Sequence, residues 1–179
     1  SLSELDLGFI LWCTDGVTVS NPPADDKGHP TNPRHTHASG GAIFPISVYV
    51  IVERVRGLVR GTYRFDSHVG CLQPLDYATE VDEGKEGHIP SSPLQAAIRT
   101  TYPHTSSESK SEAEAGYQSW ADDASVLVVL CANEGLVKQR QGYYANASQD
   151  LIKMEVGMIA QNTLLAVSAL EHMGATPMA

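Results

Sequence analysis

The segment from Asn146 to Gly174 narrows the possible folds of this chain more than any other. Between Leu151 and Met173 it is apolar on nearly every side, broken by Lys153, Glu155, Gln161 and Asn162. Those breaks disqualify it as a membrane span. Asn146, Ser148 and Asp150 offer N-terminal caps and Gly174 a stop, which predicts one long helix ending near His172. A helix that is apolar all round is stable only when other elements enclose it, so its expected place is the centre of the molecule.

The enclosing elements are legible as strands and one further helix. Val48, Val50 and Val52 alternate with Tyr49 and Ile51, so both faces of that strand are apolar and it should be central in a sheet. Thr62–Phe65 and Gly70–Leu75 follow closely enough to form an antiparallel meander. Ser125–Ala132 is an unbroken apolar run, expected as a fully buried strand. Ser3 can cap a first helix from Leu5 to about Asp15, with Gly16 as its stop; Leu5, Phe9, Trp12 and Cys13 make its apolar face, widened by Leu7, Ile10 and Leu11. Residues 16–34 read as an extended loop. The stretch 76–118 reads as an irregular, partly mobile insertion, with a short helix at Leu94–Ile98. The predicted class is α+β: an antiparallel or mixed sheet sandwiched by helices, with a long buried central helix, in a single domain over 1–179.

Composition excludes some functions. A net charge of −9 and a pI near 5.1 are wrong for a general nucleic-acid binder. With no signal peptide or membrane span in the sequence, a cytoplasmic protein is expected. Cys13, Cys71 and Cys131 lack zinc-ligand or disulfide spacing and sit among apolar neighbours, which predicts buried reduced thiols.

Chemistry is suggested in three places. In His37-Ala38-Ser39-Gly40-Gly41-Ala42-Ile43-Phe44-Pro45, small residues run into the central strand and let a backbone approach something flat or anionic; an ordinary turn has the same composition. His29, His35 and His37 with Asp25 and Asp26 fall on a loop without the pairing that brings metal ligands together, so no metal site is expected. Arg54, Arg56, Arg60 and Arg64 form a basic patch of the kind found along a solvated hairpin edge, although an acidic peptide or partner is also a possible target.

Four segments, in order, resemble the nitroreductase superfamily, and within it the SagB-type dehydrogenases. Ala38-Ser39-Gly40-Gly41-Ala42-Ile43-Phe44-Pro45 is similar to that family's Pro-Ser-Ala-Gly-Ala-Leu-Tyr-Pro segment before a valine-rich strand. Gly61-Thr62-Tyr63-Arg64-Phe65-Asp66 stands where the family has Gly-Leu-Tyr-x-Tyr-Asp. Ala124-Ser125-Val126-Leu127-Val128-Val129 is a third match. Glu155-Val156-Gly157-Met158-Ile159-Ala160-Gln161-Asn162 resembles Glu-Ala-Gly-x-x-x-Gln-Asn.

The resemblance implies FMN bound at a dimer interface, with a related or identical subunit as partner. The functions it implies are oxidation of peptide thiazolines or oxazolines to thiazoles or oxazoles, general NAD(P)H-dependent nitro or quinone reduction, or a non-catalytic flavin-fold subunit of a peptide-modifying complex. His37, Ala38, Ser39, Gly40 and Gly41 would then face the flavin ring, with Gln161 and Asn162 at the cofactor or the dimer seam. Arg34, beside His35, would hold the phosphate. Lys138 with Tyr143 or Tyr144 would supply a base and its orienting group, although the family's adjacent Lys-Tyr pair is not present here. The family's N-terminal Arg-Arg-Ser-x-Arg and C-terminal Gly-Gly-Phe segments are not in this sequence either. The resemblance therefore leaves three expectations: an incomplete chain, phosphate ligands supplied by another chain, or loss of FMN binding.

Overall fold

Ser3 starts the first helix as its side chain dictates. In the computed structural model, which describes residues 2–28, 31–75, 123–140 and 142–177, α1 spans Glu4–Asp15. The Ser3 hydroxyl accepts from the Asp6 amide, and the Asp6 carboxylate accepts from Ser3 N–H, closing a reciprocal capping box. Such a cap contributes about 1 kcal/mol. Gly16 ends the helix, donating its N–H to the Trp12 carbonyl at 2.7 Å.

The buried face of α1 is not the expected one. Leu7, Ile10, Leu11 and Thr14 are buried, while Leu5, Phe9 and Trp12 are exposed. Both flanks of α1 are apolar, so the sequence hardly distinguishes them; the neighbours that the chain places alongside decide.

After α1 the chain forms a short antiparallel ribbon, β1 (Val17–Val19) with β2 (Arg34–His35). A tight turn at Gly40–Ala42 leads into β3 (Ile46–Val52). β4 (Gly61–Asp66) and β5 (Cys71–Pro74) complete the expected meander, and β6 (Val126–Ala132) pairs with the other side of β3. The sheet order is β5-β4-β3-β6, antiparallel throughout, with Val50 opposite Tyr63 on one side and Val128 on the other. Two short helices follow, α2 (Glu134–Lys138) and α3 (Tyr143–Asn146), then the long α4 (Ser148–Ser168). No helix among the described residues is long and apolar enough to cross a membrane.

The core lies between β3 and the two long helices. Val48, Val50 and Val52 meet Leu7, Leu11, Tyr63, Phe65, Ala166 and Val167. Burying each such side chain is worth about 1.5–3 kcal/mol. The α1–α4 seam also carries a polar contact: the hydroxyls of Thr14 and Thr163 lie 2.9 Å apart, and each bonds the carbonyl four residues back in its own helix.

Two further expectations change. β6 is half-exposed rather than fully buried, because among the described residues it pairs only with β3 and stands at the sheet edge. α4 is central on one side, where Glu155, Ile159, Ala166 and Val167 are buried. In the single chain its other flank exposes Met154, Met158 and Leu165. The stretch 76–118 and its Leu94–Ile98 helix lie outside the described residues.

The cysteines are free but not uniformly buried. Cys71 and Cys131 are exposed, and Cys13 is half-buried, with burial pushing its thiol pKa up. Thiolate fraction and access set the rate with a disulfide reagent, so Cys71 and Cys131 should react at least about tenfold faster than Cys13. Peptide mapping of a labelling time course will show it; equal rates at all three would refute the burial assignment.

Candidate functional site

His35, two residues before His37 in extended backbone, presents its ring to the same side as His37. Both rings meet the carboxylate of Asp15, the last residue of α1. His35 Nδ1 lies 2.7 Å and His37 Nε2 2.9 Å from Asp15 Oδ1. On its other side His37 Nδ1 faces the Ala38 carbonyl at 3.2 Å and Glu155 Oε1 of α4 at 3.9 Å. Both His37 nitrogens therefore face acceptors, an arrangement that favours the doubly protonated ring.

The shifts follow from these contacts. Burial alone would raise the Asp15 pKa, but the hydrogen bonds from His35 and His37 outweigh it and hold the carboxyl below its ordinary value. Burial would lower His37, and its bonds to Asp15 and Ala38 reverse that, leaving it raised. For Glu155 burial prevails over the Ser39 bond and raises the pKa.

Glu155 also anchors the small-residue stretch. Ser39 Oγ donates to Glu155 Oε2 at 2.6 Å and accepts from the Phe44 amide at 2.8 Å. Between these bonds the backbone is strained: Gly41, Ala42 and Phe44 have φ of 68°, 52° and 50°. Left-handed backbone costs a non-glycine residue about 1–2 kcal/mol. The strain is held by Asn32 Nδ2 donating to the Ala42 carbonyl at 2.7 Å, by Asn133 N–H donating to Pro45, and by Phe44 stacking on His35 with ring centroids 4.0 Å apart.

Gly40 and Gly41 turn toward this chain's own side chains. A Cβ on Gly40 would meet Leu151 at 2.9 Å, and one on Gly41 would meet the Tyr144 ring at 2.8 Å. The expected bare approach to a flat ligand at these two glycines is therefore replaced by packing on α3 and α4. A Gly41→Val substitution would disturb the fold as well as any ligand.

The nearest space for a ligand is adjacent. A cavity of about 480 Å³ lies between Thr36–Ala38 and α4, lined by Thr36, His37, Ala38, Met154, Gly157, Met158, Gln161 and Asn162. Thr36 Oγ1 is buried and has no hydrogen-bond partner among the described residues. A Cβ on Gly157 would have no atom within 4 Å, so a flat group can reach the helix backbone. No arginine or lysine is among the described residues that line it.

The other expected site residues are placed as follows. Gln161 is exposed at the cavity, and Asn162 donates its amide to the Thr36 carbonyl at 3.1 Å. Arg34 is exposed on β2. Lys138 Nζ pairs with Glu134 Oε2 at 2.9 Å and its side chain is 55% exposed, so the fold does not provide the desolvation a lysine base needs. Tyr143 is exposed, its ring edge-on to Tyr144. Tyr144 packs its ring close against Gly41.

In the basic patch Arg60 is paired with Glu53, and Arg54 donates to the Asp123 backbone carbonyl. His29 lies outside the described residues. Asp15, His35, Thr36, Glu155 and Gly157 were not among the expected site residues. The His-x-His spacing and one carboxylate on an apolar helix were the signals available for His35 and Glu155.

No family model matches the chain, and no curated protein matches it significantly. Solved structures do. An Anabaena variabilis ATCC 29413 protein assigned as a nitroreductase superposes with a TM-score of 0.65 at 15% identity, over 92% of this chain and 27% of that one. The E. coli microcin synthetase McbBCD complex, with truncated pro-MccB17 bound, gives 0.54 at 16% identity, over 95% and 51%. A Ralstonia eutropha JMP134 protein assigned as a nitroreductase gives 0.54 at 20% identity, over 91% and 54%. The chain thus has a nitroreductase-like α+β fold and spans from about a quarter to about half the length of these chains.

Proposed function

We propose that this chain forms the flavin-binding core of an FMN-dependent oxidoreductase that dehydrogenates thiazoline or oxazoline rings in a peptide. The observation that supports this best is the cavity beside α4, whose lining suits a flat, polar-edged ring. Gly157 leaves room against the helix, Met154 and Met158 offer polarisable apolar contact, and the unpartnered Thr36 hydroxyl and the Gln161 amide offer hydrogen bonds. FMN bound there would supply the hydride acceptor.

The protein's share is positioning. The Ser39–Glu155 bond and the Asp15–His37 pair fix the cavity's rim. Arg34 is the candidate phosphate ligand. The exposed flank of α4, with Met154, Met158 and Leu165, would be covered by a second copy or a related subunit, which would also close the cavity. Tyr144 remains the candidate orienting group. The exposed, paired state of Lys138 favours a second reading, an NAD(P)H-dependent nitro or quinone reductase, in which hydride transfer needs no lysine base.

The test begins with colour. The purified protein should show flavin absorption or bind added FMN stoichiometrically, and a colourless chain that takes up no FMN would overturn the proposal. Gly157→Val is the clean probe, since its side chain enters open space. It should weaken FMN binding at least about tenfold, or about 1.4 kcal/mol, with an unchanged circular dichroism spectrum. Turnover of an azoline-containing peptide selects the first reading; turnover of a nitroaromatic with NAD(P)H alone selects the second.

A further inference from the structure

The three ligand-type atoms at Asp15 converge more closely than an ordinary surface ion pair. Asp15 Oδ1, His35 Nδ1 and His37 Nε2 all lie within 4.8 Å of one another, and they come from the end of α1, from β2 and from the segment after it. Their side chains are almost closed to solvent, at 9%, 6% and 1% exposure. Phe44 stacks on the His35 ring and meets the His37 ring edge-on, fixing both orientations.

We propose that Asp15, His35 and His37 form a divalent transition-metal site, with zinc as the occupant. Two imidazoles and one carboxylate, with no thiolate, are donors that suit zinc and exclude a soft monovalent ion. The outer contacts fit as well. A metal-ligating histidine usually donates its second N–H to a carbonyl or carboxylate, and His37 Nδ1 faces the Ala38 carbonyl with Glu155 behind it. Glu155 Oε1 has no hydrogen-bond partner among the described residues, and the residue is 2% exposed. A dication at Asp15 would balance that second buried carboxylate through the His37 ring.

The present spacings of 2.7 and 2.9 Å are those of hydrogen bonds; ligand atoms around a tetrahedral ion stand about 3.3 Å apart. The hydrogen bonds to Asp15 Oδ1 occupy the ion's place, and admitting it means lengthening these two spacings and drawing the two ring nitrogens together. The ion would join α1, β2 and the segment that leads into the Ser39–Phe44 turn, a structural role that does not depend on the flavin reading.

The test uses the full chain, stripped with a chelator and titrated with Zn²⁺ by calorimetry at neutral pH. One ion should bind per chain and raise the melting temperature. Asp15→Asn and His35→Gln, each checked for folding by circular dichroism, should bind at least about a hundredfold more weakly. His68→Gln, which removes a ring that touches His35 edge-on but is not a ligand, should bind as the parent does. Co²⁺ added to the parent should give the visible absorption of a low-symmetry, four-coordinate site. The proposal is overturned if the folded parent takes up no stoichiometric ion, or if both ligand variants bind as tightly as it does. A Co²⁺ spectrum of the six-coordinate aqueous type overturns it too.

Discussion

Asp15→Ala should lower the free energy of unfolding by about 3–5 kcal/mol, the range seen when one partner of a buried ion pair is removed. Asp15 is 6% exposed and is the common acceptor for His35 and His37. Without it the buried His37 ring keeps only the Ala38 carbonyl and a carboxylate 3.9 Å away, and His35 loses its short contact. A loss of that size is about a fifth or more of a typical domain's stability, so the variant should melt markedly lower. Asp15→Asn retains an oxygen acceptor and should fall between. Urea denaturation in the presence of a chelator measures both, with bound metal removed from the comparison. A change under about 1 kcal/mol for the alanine variant would show that the cluster is not an ion pair of consequence.

Glu155→Ala should have the second largest effect, about 2–5 kcal/mol, from a new cavity and an unpaired hydroxyl together. Glu155 is the acceptor for Ser39 Oγ, and Ser39 in turn holds the Phe44 amide. The left-handed residues Gly41, Ala42 and Phe44 stay in place because the turn is tied at both ends, and this substitution cuts one tie. Hydrogen exchange should therefore speed up at amides 39–44 by more than about tenfold while β4 and β5 keep their protection. Glu155→Gln should recover most of the loss, since its amide oxygen still accepts from Ser39 and its neutrality matches a site that already raises the Glu155 pKa. Equal protection at 39–44 in parent and alanine variant would mean that the turn is held by something other than this bond.

Both substitutions act on residues outside the expected site, and the reason is physical. Residues 38–45 were marked by their composition, and of them Ala38 is among the residues that line the cavity. Yet the glycines there are small because Leu151 and Tyr144 press on them, from more than a hundred residues along the chain. Asn162 stood out as a polar residue on an apolar helix, and it satisfies a backbone carbonyl. Lys138 stood out by its neighbours, and an exposed ion pair holds it. A sequence shows that a residue is unusual for its element; whether it meets a ligand or its own chain depends on long-range approach.

What the sequence determined by itself is what rests on short-range physics. The capped α1, the central valine strand, the β4–β5 hairpin and the long α4 follow from caps, alternation and turn residues, each acting over a few positions. The α+β class follows from them. Only tertiary structure decided which flank of α1 is buried, that β6 stands at an edge, and that Asp15, His35, His37 and Glu155 share one buried cluster. Those outcomes depend on chain segments meeting across 20 to 149 positions, as His35 meets Asp15 and Thr163 meets Thr14. Local propensity carries no information over such separations, because contacts between the packed elements, not the backbone, set their energies.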